Sequence, residues 1–205
     1  MPAPISWAFV WNYYLAAFAG AYALGAISFG LVVTRLAGLG DIRKLGSGNF
    51  GATNVLRTGH KALAALTLFL DGAKGALAVL IGANWGPDIA LIAGYGALIG
   101  HLFPVWLKFR GGKGVATSLG VLLAIAFPVG AAACLTWLAI AYAFRYSSLA
   151  SLAAVGFSPL FAWILRGDLQ LVQFTAIIAA FVWARHHANI RRLATGKEPK
   201  IGAAK

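Results

Sequence analysis

An all-α, polytopic integral membrane protein is the fold class this sequence predicts, on three observations. Apolar residues make up 60% of the 205 and charged residues only 11%, and mean hydropathy is +0.80, well above a soluble domain. The apolar residues come in runs, each near or above the ~20 residues a helix needs to cross about 30 Å of hydrocarbon. Almost all cations fall between those runs, where loops on the cytoplasmic side concentrate them.

The runs cover 7–36, 62–85, 89–107, 115–144, 147–165 and 169–184. The first has no charge before Arg35, so it lacks the basic segment and small-residue cleavage pattern of a removable signal and is expected to stay in the mature protein. The second carries Asp71 and Lys74, an i, i+3 pair that offsets the cost of placing charge inside a membrane. That pair is either a brace for nearby polar loops or a structural ion pair. The fourth run, 30 residues long, would extend about 45 Å as one helix, so it is either steeply tilted or two short helices broken near Pro128 and Gly130. Charge decides between these. With seven helices and the N-terminus outside, the loops holding Arg43, Arg57, Lys108, Lys113 and Arg145 and the tail from Arg185 all face inward, leaving Arg166 outside and Lys74 within a span. With six, the basic tail or the earlier basic loops would lie outside. Seven transmembrane helices in one domain over 1–205, with a cytoplasmic C-terminus, are therefore expected. No internal repeat is visible, and only 196–205 resembles a free tail.

Seventeen Lys and Arg against five Asp and Glu give +12, a charge suited to nucleic acid, anionic lipid or an anionic substrate. So little chain lies outside the runs that no nucleic-acid domain is expected. Cys134, the single cysteine, reads as packing within an apolar run.

Three polar stretches fall on the inward side. In "LGSGNFGATNVLRTGHK" (45–61) the glycines Gly46, Gly48 and Gly51 alternate with Ser47, Asn49, Thr53 and Asn54. Glycine lets successive backbone N–H groups converge on one anion, and small hydroxyl and amide side chains add donors without bulk. A helix starting near Ala52 puts Arg57 one turn after Thr53, a forked partner for a phosphate. In "GHLFPVWLKFRGGKGVATSLG" (100–120) Gly111, Gly112, Lys113 and Gly114 lead into an apolar helix whose free N–H groups point back at the loop. A nucleotide-binding P-loop would need glycine at Leu107, Ser or Thr at Gly114 and a preceding strand, so that reading is set aside. In "RHHANIRRLATGKEP" (185–199) His186 and Asn189 share a helix face, which suits handling a hydroxyl, whereas His187 points elsewhere. His101, Thr117 and Glu198 complete the candidate binding set. The five acidic residues, Asp41, Asp71, Asp88, Asp168 and Glu198, supply neither a carboxylate dyad nor a metal cluster. No metal or soluble cofactor is expected, and an enzyme built this way needs a substrate that arrives activated.

These three stretches resemble the three cytoplasmic motifs of the PlsY family of bacterial acyl-phosphate:glycerol-3-phosphate acyltransferases, and "DGAKG" (71–75) is similar to a further family element. The likeness runs from about residue 24 to 202. One departure is "LGAISFG" (24–30), where the family reads close to L-G-S-I-P-F-G, so any role of that Ser and Pro cannot pass to Ala26 and Ser28. The resemblance implies seven helices in the bacterial inner membrane with a cytoplasmic active site. It also implies attack by the 1-hydroxyl of sn-glycerol 3-phosphate on a fatty acyl phosphate, giving lysophosphatidic acid and phosphate, the first acylation of phospholipid synthesis. Membrane lipid and the enzyme that makes acyl phosphate are the implied partners, the latter by hand-over. Ser47, Arg57 and Lys113 would bind phosphate and stabilise charge, with His186 and Asn189 at the attacking hydroxyl. Either His186 or an oxygen of the acyl phosphate would take its proton. The rival reading is an inner-membrane carrier of an organic phosphate, which should place its polar groups near the bilayer midplane and show repeats.

Overall fold

The structure, a computed structural model, describes residues 7–44 and 48–202, and is helical throughout apart from loops and turns. In chain order the helices are α1 Trp7–Gly25, α2 Phe29–Leu36, α3 Ala52–Leu56, α4 Lys61–Ala83, α5 Pro87–Leu102, α6 Val115–Ile125, α7 Phe127–Phe144, α8 Ser147–Gly156, α9 Ser158–Arg166, α10 Leu169–Arg185 and α11 His187–Ala194. Among the described residues, five helical segments are long and apolar enough to cross a membrane: Trp11–Leu36, Lys61–Ala83, Pro87–Leu107, Phe127–Phe144 and Ser147–Arg166. Val115–Ile125 and Leu169–Arg185 are shorter apolar helices.

Local chemistry sets the boundaries. Pro87, Pro128 and Pro159 fall within the first two positions of α5, α7 and α9, where a missing N–H costs nothing. The long fourth run breaks at Ala126, two residues before Pro128, as the proline suggested. Asp168 caps α10 by accepting from the Leu171 N–H at 3.1 Å, which satisfies one of the orphan donors of a helix start.

Two apolar runs read as continuous are interrupted. The first divides at Ala26–Ser28 between α1 and α2, and the fifth at Phe157 between α8 and α9. A helix break inside a bilayer frees carbonyls that need partners. At the first break the Ala26 carbonyl accepts from the Trp106 indole at 3.0 Å and the Ile27 carbonyl from the Lys74 ammonium at 2.7 Å.

Small residues let the central helices touch. α1 lies on α5, and α4 on α5 and α6. A Cβ on Gly120 of α6 would come 2.0 Å from the Gly72 carbonyl of α4, and one on Gly100 of α5 would come 2.2 Å from the Tyr22 carbonyl of α1. Backbones approach this closely where van der Waals packing, rather than water exclusion, holds helices together. Beside these contacts Leu98, Leu102, Val121, Leu122, Val129, Phe174 and Ile178 form a fully enclosed apolar core.

Cross-links between loops show that the polar stretches gather at one end of the bundle. Thr53 bonds Ser147, Lys113 bonds Asn189, Ser148 bonds Glu198, and the Ile201 N–H donates to the Arg145 carbonyl. At the other end Gln170 donates to Asp88 at 2.9 Å.

Candidate active site

The second stretch is the scaffold of this end. Beyond Pro104, Lys108 and Phe109 both take positive φ, 53° and 59°, a left-handed conformation uncommon without glycine. This turns the chain back so that the Gly111 and Gly112 N–H groups donate to the Leu102 and His101 carbonyls at 3.1 and 3.0 Å. Arg185, the last residue of α10, clasps the same two glycines from the other side, donating to the Gly111 carbonyl at 2.8 Å and the Gly112 carbonyl at 3.2 Å. Its guanidinium stacks over the Phe103 ring at 5.4 Å. Gly114, at φ 81°, then opens α6, a conformation glycine adopts at no steric cost.

Lys113 is thereby aimed at the third stretch. Its ammonium donates to Asn189 Oδ1 at 2.5 Å, and Asn189 Nδ2 donates to Glu198 Oε1 at 2.6 Å. That carboxylate also accepts from Ser148 Oγ at 2.7 Å and, through Oε2, from Arg192 Nε at 2.7 Å. Burial would raise the Glu198 carboxyl, but these three hydrogen bonds outweigh it and hold it below its ordinary value. Burial pulls Lys113 down to about 8; Glu198 opposes this, and the charges of Arg192, Arg57 and Arg185 add to it. Burial and the neighbouring guanidiniums thus outweigh the Glu198 carboxylate, and added negative charge at this point would favour the protonated amine.

His186 sits at the junction of α10 and α11, its Nδ1 2.7 Å from the Val182 carbonyl. A carbonyl only accepts, so Nδ1 carries the proton and Nε2 holds a lone pair. Burial lowers this imidazole to about 4, so it is neutral at physiological pH. His187 is exposed and turns to the Ala184 carbonyl.

The first stretch contributes the opposite wall. Gly46 and Ser47 lie outside the described residues. Asn49 accepts from the Gly51 N–H at 2.9 Å, shaping the turn into α3. Asn54 is buried and donates to the Ile42 carbonyl at 3.1 Å, while Thr53 reaches Ser147. Arg57 is the exposed residue that ends α3, near enough for its charge to act on Lys113.

Between the first two stretches lies a cavity of about 430 Å³ lined by Arg43, Gly48, Asn49, Phe50, Arg110, Gly111 and Arg185. Its three guanidiniums were not singled out in the sequence. Their signal is weak, since Arg43 and Arg110 look like ordinary loop cations and Arg185 lies at a helix end. Arg43 pairs with Asp41 at 2.6 Å, and that hydrogen bond takes the Asp41 carboxyl down to about 2. The structure brings neither His101 nor Thr117 to this wall. His101 faces Lys74, and Thr117 Oγ1 donates to the Asp71 carbonyl at 2.9 Å within the α4–α6 contact. His101 lies on α5, ahead of the loop, and Thr117 four residues beyond Lys113 on α6, and both side chains are buried and bonded inside the bundle.

Taken together, the fold and site define an α-helical integral membrane protein with a cation-rich polar cluster at one end of its bundle. The sequence model described as glycerol-3-phosphate acyltransferase matches residues 15–196. A glycerol-3-phosphate acyltransferase of Methylorubrum extorquens (strain PA1) is 54% identical over 192 residues, covering 94% of this chain and 95% of that protein. One of Rhodospirillum rubrum is 54% identical over 193 residues, covering 90% and 89%. The crystal structure of PlsY (YgiH), an integral membrane glycerol 3-phosphate acyltransferase in its glycerol 3-phosphate form, superposes with a TM-score of 0.87 at 40% identity, covering 92% of this chain and 96% of that one. Its lysophosphatidic acid form gives 0.85 at 39%, covering 92% and 95%. The chain belongs to the glycerol-3-phosphate acyltransferase family.

Proposed function

We propose that this protein transfers a fatty acyl group from acyl phosphate to the 1-hydroxyl of sn-glycerol 3-phosphate, releasing phosphate and leaving lysophosphatidic acid in the bilayer. The observation that carries this reading is the Lys113–Asn189–Glu198 chain. It holds a partly desolvated ammonium where the second glycine-rich loop meets the third polar stretch, beside a cavity walled by arginine, at one end of a membrane bundle. Solved relatives described as glycerol 3-phosphate and lysophosphatidic acid forms support substrate and product. Seven passes with the motifs cytoplasmic fit the gathering of basic loops at this end, Arg166 lying at the other, in the inner membrane of a bacterium. The whole chain acts as one domain.

Acyl phosphate is a mixed anhydride, so the site has to hold two mutually repelling anions and stabilise the tetrahedral oxyanion. Ser47, Arg57 and Lys113 supply that stabilisation. Gly46, Gly48, Asn49, Gly51 and Thr53 cradle one phosphate, with Asn54 bracing their loop through the Ile42 carbonyl, and Gly111, Gly112 and Gly114 shape the loop that meets the other. The C1 oxygen of glycerol 3-phosphate bonds to the acyl carbon, the carbon–oxygen bond to phosphate breaks, and the hydroxyl proton leaves with the phosphate. His186, neutral and weakly basic at about 4, orients the hydroxyl through Nε2 with Asn189, and Glu198 holds Asn189. A carrier would bind its anion near the midplane, whereas these groups lie at one end.

Donor choice tests the proposal. Purified protein in lipid should form labelled lysophosphatidic acid from glycerol 3-phosphate with palmitoyl phosphate and none with palmitoyl-CoA. The opposite preference would refute it.

A further inference from the structure

We infer that Asp71, Lys74 and His101 form a buried positioning relay that fixes the two glycine-rich loops against one another, an inference that rests on the acyl-transfer reading above. The side chains of Lys74 and Asp71 are 1% and 3% exposed, with Nζ 2.8 Å from Oδ1. The Lys74 ammonium donates to the Ile27 carbonyl at 2.7 Å and meets His101 Nδ1 at 2.8 Å, and it pairs by charge with Asp71 Oδ1, which has no hydrogen-bond geometry to it. An ammonium only donates, so Nδ1 accepts and the ring proton is on Nε2. The ring is held from one edge, and its other surfaces are what the loops rest on.

Gly112 lies against the Nε2 edge, where a Cβ would come 2.1 Å from that nitrogen. Phe50, between Asn49 and Gly51 in the turn into α3, packs on the same ring at 5.7 Å between centroids. One imidazole therefore touches both loops, and Arg185 presses the second loop onto it from the far side. Lys74 ties this hub to the α1–α2 break, and Asp71 holds Lys74. Stability alone does not account for the arrangement, because a buried ion pair replaced by apolar groups is often neutral or stabilising. What apolar groups cannot reproduce is a ring fixed in direction by a hydrogen bond, and with it the spacing of the loops that present the two substrates.

The test compares wild type with Lys74→Met, the double variant Asp71→Asn/Lys74→Met, which leaves no unpaired charge, and His101→Phe, which keeps a ring but removes the acceptor. Each full-length protein is purified in phosphatidylethanolamine/phosphatidylglycerol vesicles and assayed with palmitoyl phosphate and glycerol 3-phosphate, alongside hydrogen exchange. The relay predicts that kcat falls on the order of tenfold to a hundredfold with a smaller change in KM, as for misplaced reactants. It also predicts faster exchange confined to the loops around residues 48–51 and 110–114. Wild-type kcat in the double variant and His101→Phe would overturn it, as would faster exchange spread through α4, α5 and α6, the mark of a structural role alone. A wild type without acyl transfer would refute the proposed function, and loop exchange unchanged by the variants would still refute the relay.

Discussion

Replacing Lys113 with arginine should abolish an alkaline limb in the pH profile. Burial pulls the Lys113 ammonium down to about 8, with Glu198 opposing and the neighbouring arginines assisting. Only the protonated amine stabilises an anion. The competent fraction is therefore about one half at pH 8 and roughly a tenth at pH 9. In the wild type, kcat/KM for glycerol 3-phosphate should be flat below about pH 7 and fall roughly tenfold per unit above 8. Bound phosphate favours the charged amine, so the limb in kcat lies at higher pH than the limb in kcat/KM. Arginine stays charged throughout this range, so Lys113→Arg should keep part of the activity and lose the limb. Lys113→Ala should cost on the order of a hundredfold to a thousandfold at neutral pH, the loss of one electrostatic stabiliser, and show no limb. Phosphate release followed from about pH 6 to 9.5 measures all three. A limb that persists in Lys113→Arg, or a wild-type profile flat to the end, would refute the assignment.

Glu198→Gln turns one acceptor into a donor among Ser148, Asn189 and Arg192; kcat/KM should fall roughly tenfold, about 1.4 kcal/mol. Because the Glu198 charge favours protonated Lys113, the alkaline limb should also move to lower pH in a steady-state profile. Gly120→Ala places a Cβ against the Gly72 carbonyl and should cost about 1–3 kcal/mol of stability, read as a lower Tm, with the kcat of the folded fraction little changed. His186→Asn should retain most activity at neutral pH in the phosphate-release assay, since the proton leaves with phosphate; a loss beyond a hundredfold would restore His186 as the base.

The bundle was legible because a membrane writes helices as apolar runs, and Pro128 marked the one break that the sequence disclosed. The breaks at Ala26–Ser28 and Phe157 were missed. At the first no proline is present, and the partners that make it tolerable, Trp106 and Lys74, are remote in sequence. At the second, Pro159 was a signal not used. Motif chemistry pointed to Lys113, Asn189 and Glu198, which are hydrogen-bonded in a chain, and to His186, which lies close enough to feel the Lys113 and Glu198 charges, because glycine, amide and cation at one bundle end have few other uses. The sequence placed His101 and Thr117 in the candidate binding set, whereas their side chains bond inside the bundle to Lys74 and the Asp71 carbonyl, partners on α4 that spacing within one motif does not disclose. The arginines around the cavity were hidden among cations that the positive-inside tendency explains equally well.

The central claim is acyl transfer from acyl phosphate, and one stoichiometry tests it most directly. Purified protein in vesicles containing palmitoyl phosphate should release phosphate only when sn-glycerol 3-phosphate is added, with one lysophosphatidic acid formed per phosphate. Absence of turnover together with movement of phosphate across the vesicle membrane would contradict the account and assign the same loops to transport.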